Sequence, residues 1–224
     1  MDIEKGGVVA IVGESGSGKS TIASLILNSH SVNSGEILIN NKNINNIHQD
    51  EIYKNIALVS TNSYIFNGSI LDNLLIGNKN ATKEEIDNAL RISRLYDFVN
   101  SLKSGVNTSV GEGGNLLSGG QKQRLALARV ILSNKDVVIF DEATSNIDVE
   151  SEESIWDAIY EISKDKIVIV ISHRLANVKR AKNIYVLNKG VIDENGSHHQ
   201  LLKKGGHYTH MLEKQQELER IREV

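Results

Sequence analysis

The sequence predicts an α/β fold in which a parallel-sheet core is interrupted by a mostly helical lobe. Three observations carry this. Unbroken apolar runs such as VVAIVG (8–13), DVVIF (136–140) and KIVIVIS (166–172) have the length and composition of strands buried on both faces. Apolar residues at helical spacing fill stretches between them. Between about 66 and 133 helices and a Gly-rich loop replace the strand–helix rhythm.

In chain order, VVAIVG ends at Gly13 and leads into KSTIASLILNSH, which reads as a helix. GEILINN (35–41) and NIALVS (55–60) are expected strands, with the Asn-rich KNINNIHQDEIYKN (42–55) a polar surface segment between them. TKEEIDNALRISRLYDFV (82–99) opens with a capping box, Thr82 to Glu85, and places Ile86, Leu90 and the pair Ala89/Ser93 near helical spacing. The Gly-rich VGEGGNLLSGG (110–120) precedes another helix. The α/β rhythm returns with DVVIF, a helix over 149–163, KIVIVIS and the hairpin-like NIYVLNKGVIDENG (183–196). The charged tail EKQQELERIREV is expected to be a solvated helix. At 224 residues the chain suits one domain, with a core over 1–65 and 134–206, a helical subdomain over about 66–133 and a C-terminal helix over about 207–224.

Composition narrows the function. A net charge of −3 gives no reason to expect a nucleic-acid partner. Without cysteine there is no disulfide, thiol nucleophile or Cys-based zinc site. The histidine pairs His198/His199 and His207/His210 have no carboxylate beside them at metal-ligand spacing, so a metal site there is not expected. No apolar run approaches the roughly 18 residues that span a bilayer. The polar, acidic MDIEKGG is not a signal peptide, and by itself the chain is expected to be soluble.

GESGSGKS (13–20) fits G-x-x-x-x-G-K-[ST] between an expected strand and an expected helix. Glycines let the backbone curl so that successive N–H groups face phosphates. Gly13, Glu14, Ser15, Gly16, Ser17, Gly18, Lys19, Ser20 and Thr21 are therefore the expected nucleotide-binding residues. Lys19 would bridge the β- and γ-phosphates, and the Ser20 hydroxyl would reach Mg²⁺. In VVIFDEA (137–143) a buried strand ends in two acids: Asp141 suits the Mg²⁺ shell, and Glu142 a water for in-line attack. Against this stands a plain helix cap, which also favours acids. His173 follows another strand at the same sheet edge, where ligands of such sheets bind; a hydrogen-bonded structural histidine is its alternative.

Ser118-Gly119-Gly120-Gln121 is formally a second capping box. The two glycines remain unexplained by it, because inside a helix each costs roughly 1 kcal/mol relative to alanine. Glycines let an anion approach bare N–H groups, and the inserted lobe should hold this loop away from the chain's own phosphate loop. The anion would then belong to another molecule's nucleotide.

The phosphate loop, LSGGQ, VVIFDE and the strand-end histidine, in this order, resemble the nucleotide-binding domain of an ATP-binding cassette (ABC) transporter, whose signature is LSGGQ. The resemblance covers almost the whole chain. It implies a P-loop NTPase (RecA-like) core, an inserted helical signature subdomain, ATP and Mg²⁺ as ligands, and two cassettes packed head to tail. Each phosphate loop would be completed by the other's signature, which Ser118, Gly119, Gly120 and Gln121 form here, whether the second cassette is a copy of this chain or a different one. Glu142 and His173 would be catalytic, with Ser20 and Asp141 on the metal.

SYIFNGSILDNLLIG (63–77) and GVIDENGSHHQLLKKGGHYTHMLEKQ (190–215) resemble exporter-type domains, which follow a transmembrane domain in one polypeptide. This implies a place at the cytoplasmic side of the cell membrane. In that subgroup VGEGGN (110–115) matches the segment facing the membrane domain, with Glu112 in that role, and SNID (145–148) the loop touching the opposing subunit. Lys122 and Arg124, just after the signature, are expected to be ordinary exposed helix charges.

Two departures stand out. The antiparallel strands that the family carries upstream, with an aromatic residue that stacks on adenine, are not found before Gly13: either the chain is a fragment or its upstream part has been removed or left out. Lost stacking would weaken ATP binding by about 0.5–1.5 kcal/mol without abolishing it. Thr61 stands where exporters have a glutamine that reaches Mg²⁺ and links core to lobe; it keeps an oxygen on a shorter stem. The alternatives are a regulatory cassette with little turnover, or a soluble ABC ATPase unconnected with transport.

Overall fold

The computed structural model describes residues 1–61, 63–143 and 149–222. Five parallel strands form the core: β1 (Gly7–Gly13), β4 (Ile56–Ser60), β5 (Val137–Asp141), β6 (Ile167–Ser172) and β7 (Asn183–Asn188). With β8 (Val191–Gly196) antiparallel on β7, the order across the sheet is β4-β5-β6-β1-β7-β8. Side chains alternate across a strand, so β1 feeds two cores. Val8, Ala10 and Val12 pack with Phe140, Val170 and Ile159 on one face, while Ile11 joins Ala23, Ile139, Ile169 and Leu187 on the other. Burial on both faces explains why these strands are continuously apolar. Phe140→Ala would cost about 3–5 kcal/mol, since the ring is 1% exposed at the centre of the first core.

Register decides the site. Ser60 pairs with Asp141, Asp141 with Ile171, and Val12 with Ser172. The residues that leave the sheet next, Thr61, Glu142, His173 and Gly13, therefore emerge side by side along one edge.

α1 (Lys19–Ile26) follows β1 and is shorter than the expected helix, because Asn28 turns left-handed (φ 52°) and closes it. The expected strand at 35–41 shrinks to β2 (Leu38–Ile39), paired with β3 (Lys42–Asn43) in a separate ribbon. Asn40 and Asn41, at φ 49° and 63°, make the left-handed two-residue turn that asparagine tolerates best after glycine. The segment 42–55 is not simply a polar surface: it contains α2 (Gln49–Asn55), and Ile44 and Ile52 are 2% exposed in the second core.

The lobe holds α3 (Ile70–Leu75), α4 (Lys83–Ile92), α5 (Tyr96–Ser101) and α6 (Gly119–Ser133) around its own apolar cluster. Thr82 and Glu85 form the expected capping box on α4, and Ile86, Ala89, Leu90 and Ser93 are buried. The expected single helix over 82–99 is two, broken where Arg94 adopts φ 57°. α7 (Val149–Ile162), α8 (His198–Lys204) and α9 (His207–Arg222) complete the chain. α9 starts as core, through Tyr208, Met211 and Leu212, and its later turns are mostly exposed. Among the described residues no helix is long and apolar enough to cross a membrane.

Candidate functional site

The loop from Gly13 to Lys19 turns back on itself through Gly16 (φ 78°) and Gly18 (φ 100°). Gly13 is required for a different reason: a Cβ there would lie 2.3 Å from the Leu187 carbonyl oxygen and 2.6 Å from Ser17 Oγ. No side chain larger than hydrogen fits. Ser17 Oγ is buried with no hydrogen-bond partner among the described residues, while the Ser17 carbonyl accepts from Gly190 N at 3.0 Å and ties the loop to the β7–β8 turn.

Lys19 opens α1 and is 6% exposed. Its Nζ donates to the Gly13 carbonyl at 3.0 Å and the Glu14 carbonyl at 2.8 Å. Burial pushes its pKa down, opposed by the nearby charges of Glu142 and Asp141. A buried ammonium whose hydrogen bonds go to two neutral carbonyls favours an anion as a better partner. Ser20 Oγ donates to Asp141 Oδ1 at 3.3 Å. Burial raises the Asp141 carboxyl above its ordinary range; the Ser20 hydroxyl opposes that rise, Glu142 adds to it and Lys19 opposes it.

Glu142 leaves β5 with φ 51°, a conformation that costs a non-glycine residue on the order of 1 kcal/mol. Two backbone contacts hold it there. Its N–H donates to the Ile171 carbonyl at 3.0 Å, and its carbonyl accepts from Thr61 Oγ1 at 2.8 Å. The strained backbone directs the carboxylate towards β6, where Oε1 lies 3.1 Å from His173 Nδ1. Both side chains are about half exposed. Thr61 thus reaches the acid's main chain, a contact that its sequence position did not suggest. The loop after β6 has its own supports: Arg174 and Asn177 both donate to Glu152, at 2.7 and 2.6 Å, and Gln215 bonds the backbone on either side of Arg174.

The donor set fits Mg²⁺ with a nucleotide. Ser20 and Asp141 offer hard oxygens in contact, beside a buried lysine and a glycine-walled loop whose Ser17 Oγ lacks a partner among the described residues. Mg²⁺ characteristically takes one or two protein oxygens and completes its shell with phosphate and water. Among the described residues no group of three or more His, Asp or Glu could hold a metal. His198 instead bonds Tyr208, Nδ1 to hydroxyl at 2.8 Å.

Ser118 caps α6, accepting from Gln121 N at 3.2 Å while Gln121 Oε1 accepts from Ser118 N at 2.9 Å. Gly119 is exposed and Gly120 buried. The capping box is therefore real, and Ser118 and Gly119 also face solvent. Glu112 lies exposed on the turn Glu112–Gly114, which touches Ile65 through Gly114. Exposed Tyr64 and Phe66 flank that isoleucine. Lys122 and Arg124, expected as exposed charges, are both half-buried on α6. The expected contact segment 145–148 lies outside the described residues.

A parallel sheet that gathers a phosphate loop, a strand-end acid pair and a histidine at one edge defines a P-loop nucleotide-binding domain with an inserted helical lobe. The ABC transporter family model matches residues 1–145, and the chain belongs to that family. It is 42% identical over 211 residues to proteins of Staphylococcus aureus strains NCTC 8325 and COL named as multidrug export ATP-binding/permease proteins. The match covers 94% of this chain and 36% of theirs, so the chain spans about a third of the length of these relatives. Its structure resembles that of a bacterial Atm1-family ABC exporter with ATP bound, with a TM-score of 0.89 and 37% identity, over 96% of this chain and 38% of that one.

Proposed function

We propose that this chain is the Mg²⁺-dependent ATPase unit of an exporter, acting as one domain with core 1–65 and 134–206 and lobe 66–133. The observation that carries the reading is the Glu142–His173 contact at the sheet edge that also presents Lys19, Ser20 and Asp141. The loop Gly13–Thr21 wraps the phosphates, and Lys19 exchanges its two carbonyl partners for them. Ser20 and Asp141 would hold Mg²⁺, which when bound neutralises phosphate charge. Glu142 accepts a proton from, or orients, the attacking water; His173 holds the carboxylate on one side and contacts the γ-phosphate on the other. The exposed Ser118–Gly120 of a second copy closes the site from the opposite side, with Gln121 fixing that loop.

The relatives' names and their extra length support a membrane domain in the same polypeptide, with this chain on the cytoplasmic side of the membrane. Its docking face on this chain would include Glu112, the exposed aromatics Tyr64 and Phe66, and a cleft of about 490 Å³ lined by Tyr53, Leu58, Ile76 and Arg129. Steady-state hydrolysis tests the core of the reading. The chain should turn over ATP only with Mg²⁺, and Glu142→Gln should bind ATP with turnover reduced at least about 100-fold. Equal turnover by both would remove Glu142 from the mechanism.

A further inference from the structure

Gln215, in the charged tail, grips the loop that carries His173. Its Nε2 donates to the His173 carbonyl, and its Oε1 accepts from Leu175 N at 2.9 Å. The neighbouring residues have other supports. Arg174 N donates to Ser172 Oγ at 2.9 Å, Ser172 Oγ donates to the Arg174 carbonyl at 3.2 Å, and the Arg174 guanidinium bonds Glu152. The His173 carbonyl has Gln215. Beyond the backbone, the imidazole is about half exposed and meets Glu142.

Gln215 is held firmly enough to act on that loop. It lies three residues after Leu212 and four after Met211, hence on the buried face of α9. Tyr208, fully buried in the first turn, donates its N–H to Glu194 Oε2 at 2.8 Å. The same helix also approaches the phosphate loop, where Lys214 Nζ is 3.9 Å from Glu14 Oε1; exposed as it is, that pair contributes little. α9 is thus anchored in the core and placed against the loop that carries His173.

We infer that Gln215 is a positioning residue for His173: the C-terminal helix sets where the imidazole stands relative to Glu142. The inference rests on the proposed roles of those two residues. The amide matters because it both donates and accepts. Glutamate keeps the acceptor for Leu175 N and presents a second acceptor to the His173 carbonyl, which repels it. Alanine removes both bonds.

The test compares Gln215→Ala and Gln215→Glu with His173→Ala, and with Glu217→Ala as an exposed control on the same helix. Turnover by this chain and the ¹⁵N signal of the His173 ring, assigned by its loss in His173→Ala, are read together. Both Gln215 variants should lower kcat roughly tenfold, as expected for losing a pair of hydrogen bonds, with KM for ATP within about twofold. The His173 signal should shift in both variants and not in Glu217→Ala. An unchanged ring signal and kcat in Gln215→Ala, while His173→Ala lowers kcat, would overturn the inference and leave the site reading intact. A fall in melting temperature with kcat per folded molecule unchanged would also overturn it. If His173→Ala itself leaves hydrolysis untouched, the site reading fails, and the ring signal alone still shows whether Gln215 positions the imidazole.

Discussion

Glu142 and His173 meet across the ends of neighbouring strands, with Oε1 3.1 Å from Nδ1. The contact depends on two features of β5 and β6: a register that brings Asp141 opposite Ile171, and a left-handed turn at Glu142 that swings its side chain towards β6. Strain at a carboxylate beside an imidazole, at a phosphate-loop edge, is where a mechanism would place it.

Thr61 supports that turn. Thr61→Val removes the hydroxyl that donates to the Glu142 carbonyl and should reduce stability by about 1 kcal/mol. Turnover should fall several-fold, with Thr61→Ser close to the parent. Chemical denaturation and steady-state ATPase assays check the two effects separately; a Val variant as active as the parent would show that the hydroxyl does not hold Glu142 for catalysis.

Gly13 tests the phosphate loop by geometry alone. In Gly13→Ala the added methyl meets the Leu187 carbonyl at 2.3 Å, so either the loop or β7 must move. Affinity for ATP, measured by calorimetry, should fall at least about tenfold, and the melting temperature by several degrees. Gly16→Ala has open space around its Cβ, so it meets only the strain of φ 78° and should cost less.

Tyr208 sets an alkaline limit. Burial pushes its hydroxyl up from the ordinary 10.0 to about 12. Between those values the folded protein keeps a proton that the unfolded chain has lost, so stability is full below pH 10 and falls as pH rises through about 12. The loss for this group alone is roughly 2–3 kcal/mol. Denaturation midpoints measured from pH 9 to 11.5 should fall, and Tyr208→Phe should make that slope shallower, the remainder coming from Tyr160, which burial also pushes up to about 12. A slope as steep in the Phe variant would assign the alkaline loss elsewhere.

Much of this was legible in the sequence because short-range physics determines it. The apolar runs became β1, β5 and β6, the capping boxes at Thr82 and Ser118 formed, and the Lys189-Gly190 turn closed the β7–β8 hairpin. Family motifs pointed to Lys19, Ser20, Asp141, Glu142 and His173 as candidates, and the sheet register explains why they converge. The contacts of Thr61 with the Glu142 carbonyl and of Gln215 with the His173 loop were not legible. The first spans 81 residues and the second 42, and each uses a backbone atom, which leaves no pattern in residue type. The break at Arg94 was missed because it is a local helix cap that a non-glycine residue closes, with Leu95 N donating to the Leu90 carbonyl at 2.8 Å. The burial of Ile44 and Ile52 was missed because tertiary packing overrode local pattern.

The central claim is that Ser118, Gly119 and Gly120 serve a nucleotide held by another copy. The direct measurement is the molar mass of Glu142→Gln by light scattering in saturating ATP, with and without Ser118→Arg. Glu142→Gln should show about twice the chain's 24.7 kDa, and a single chain once Ser118 is arginine. A single-chain mass for Glu142→Gln in ATP, or a pair that tolerates arginine at Ser118, would contradict it.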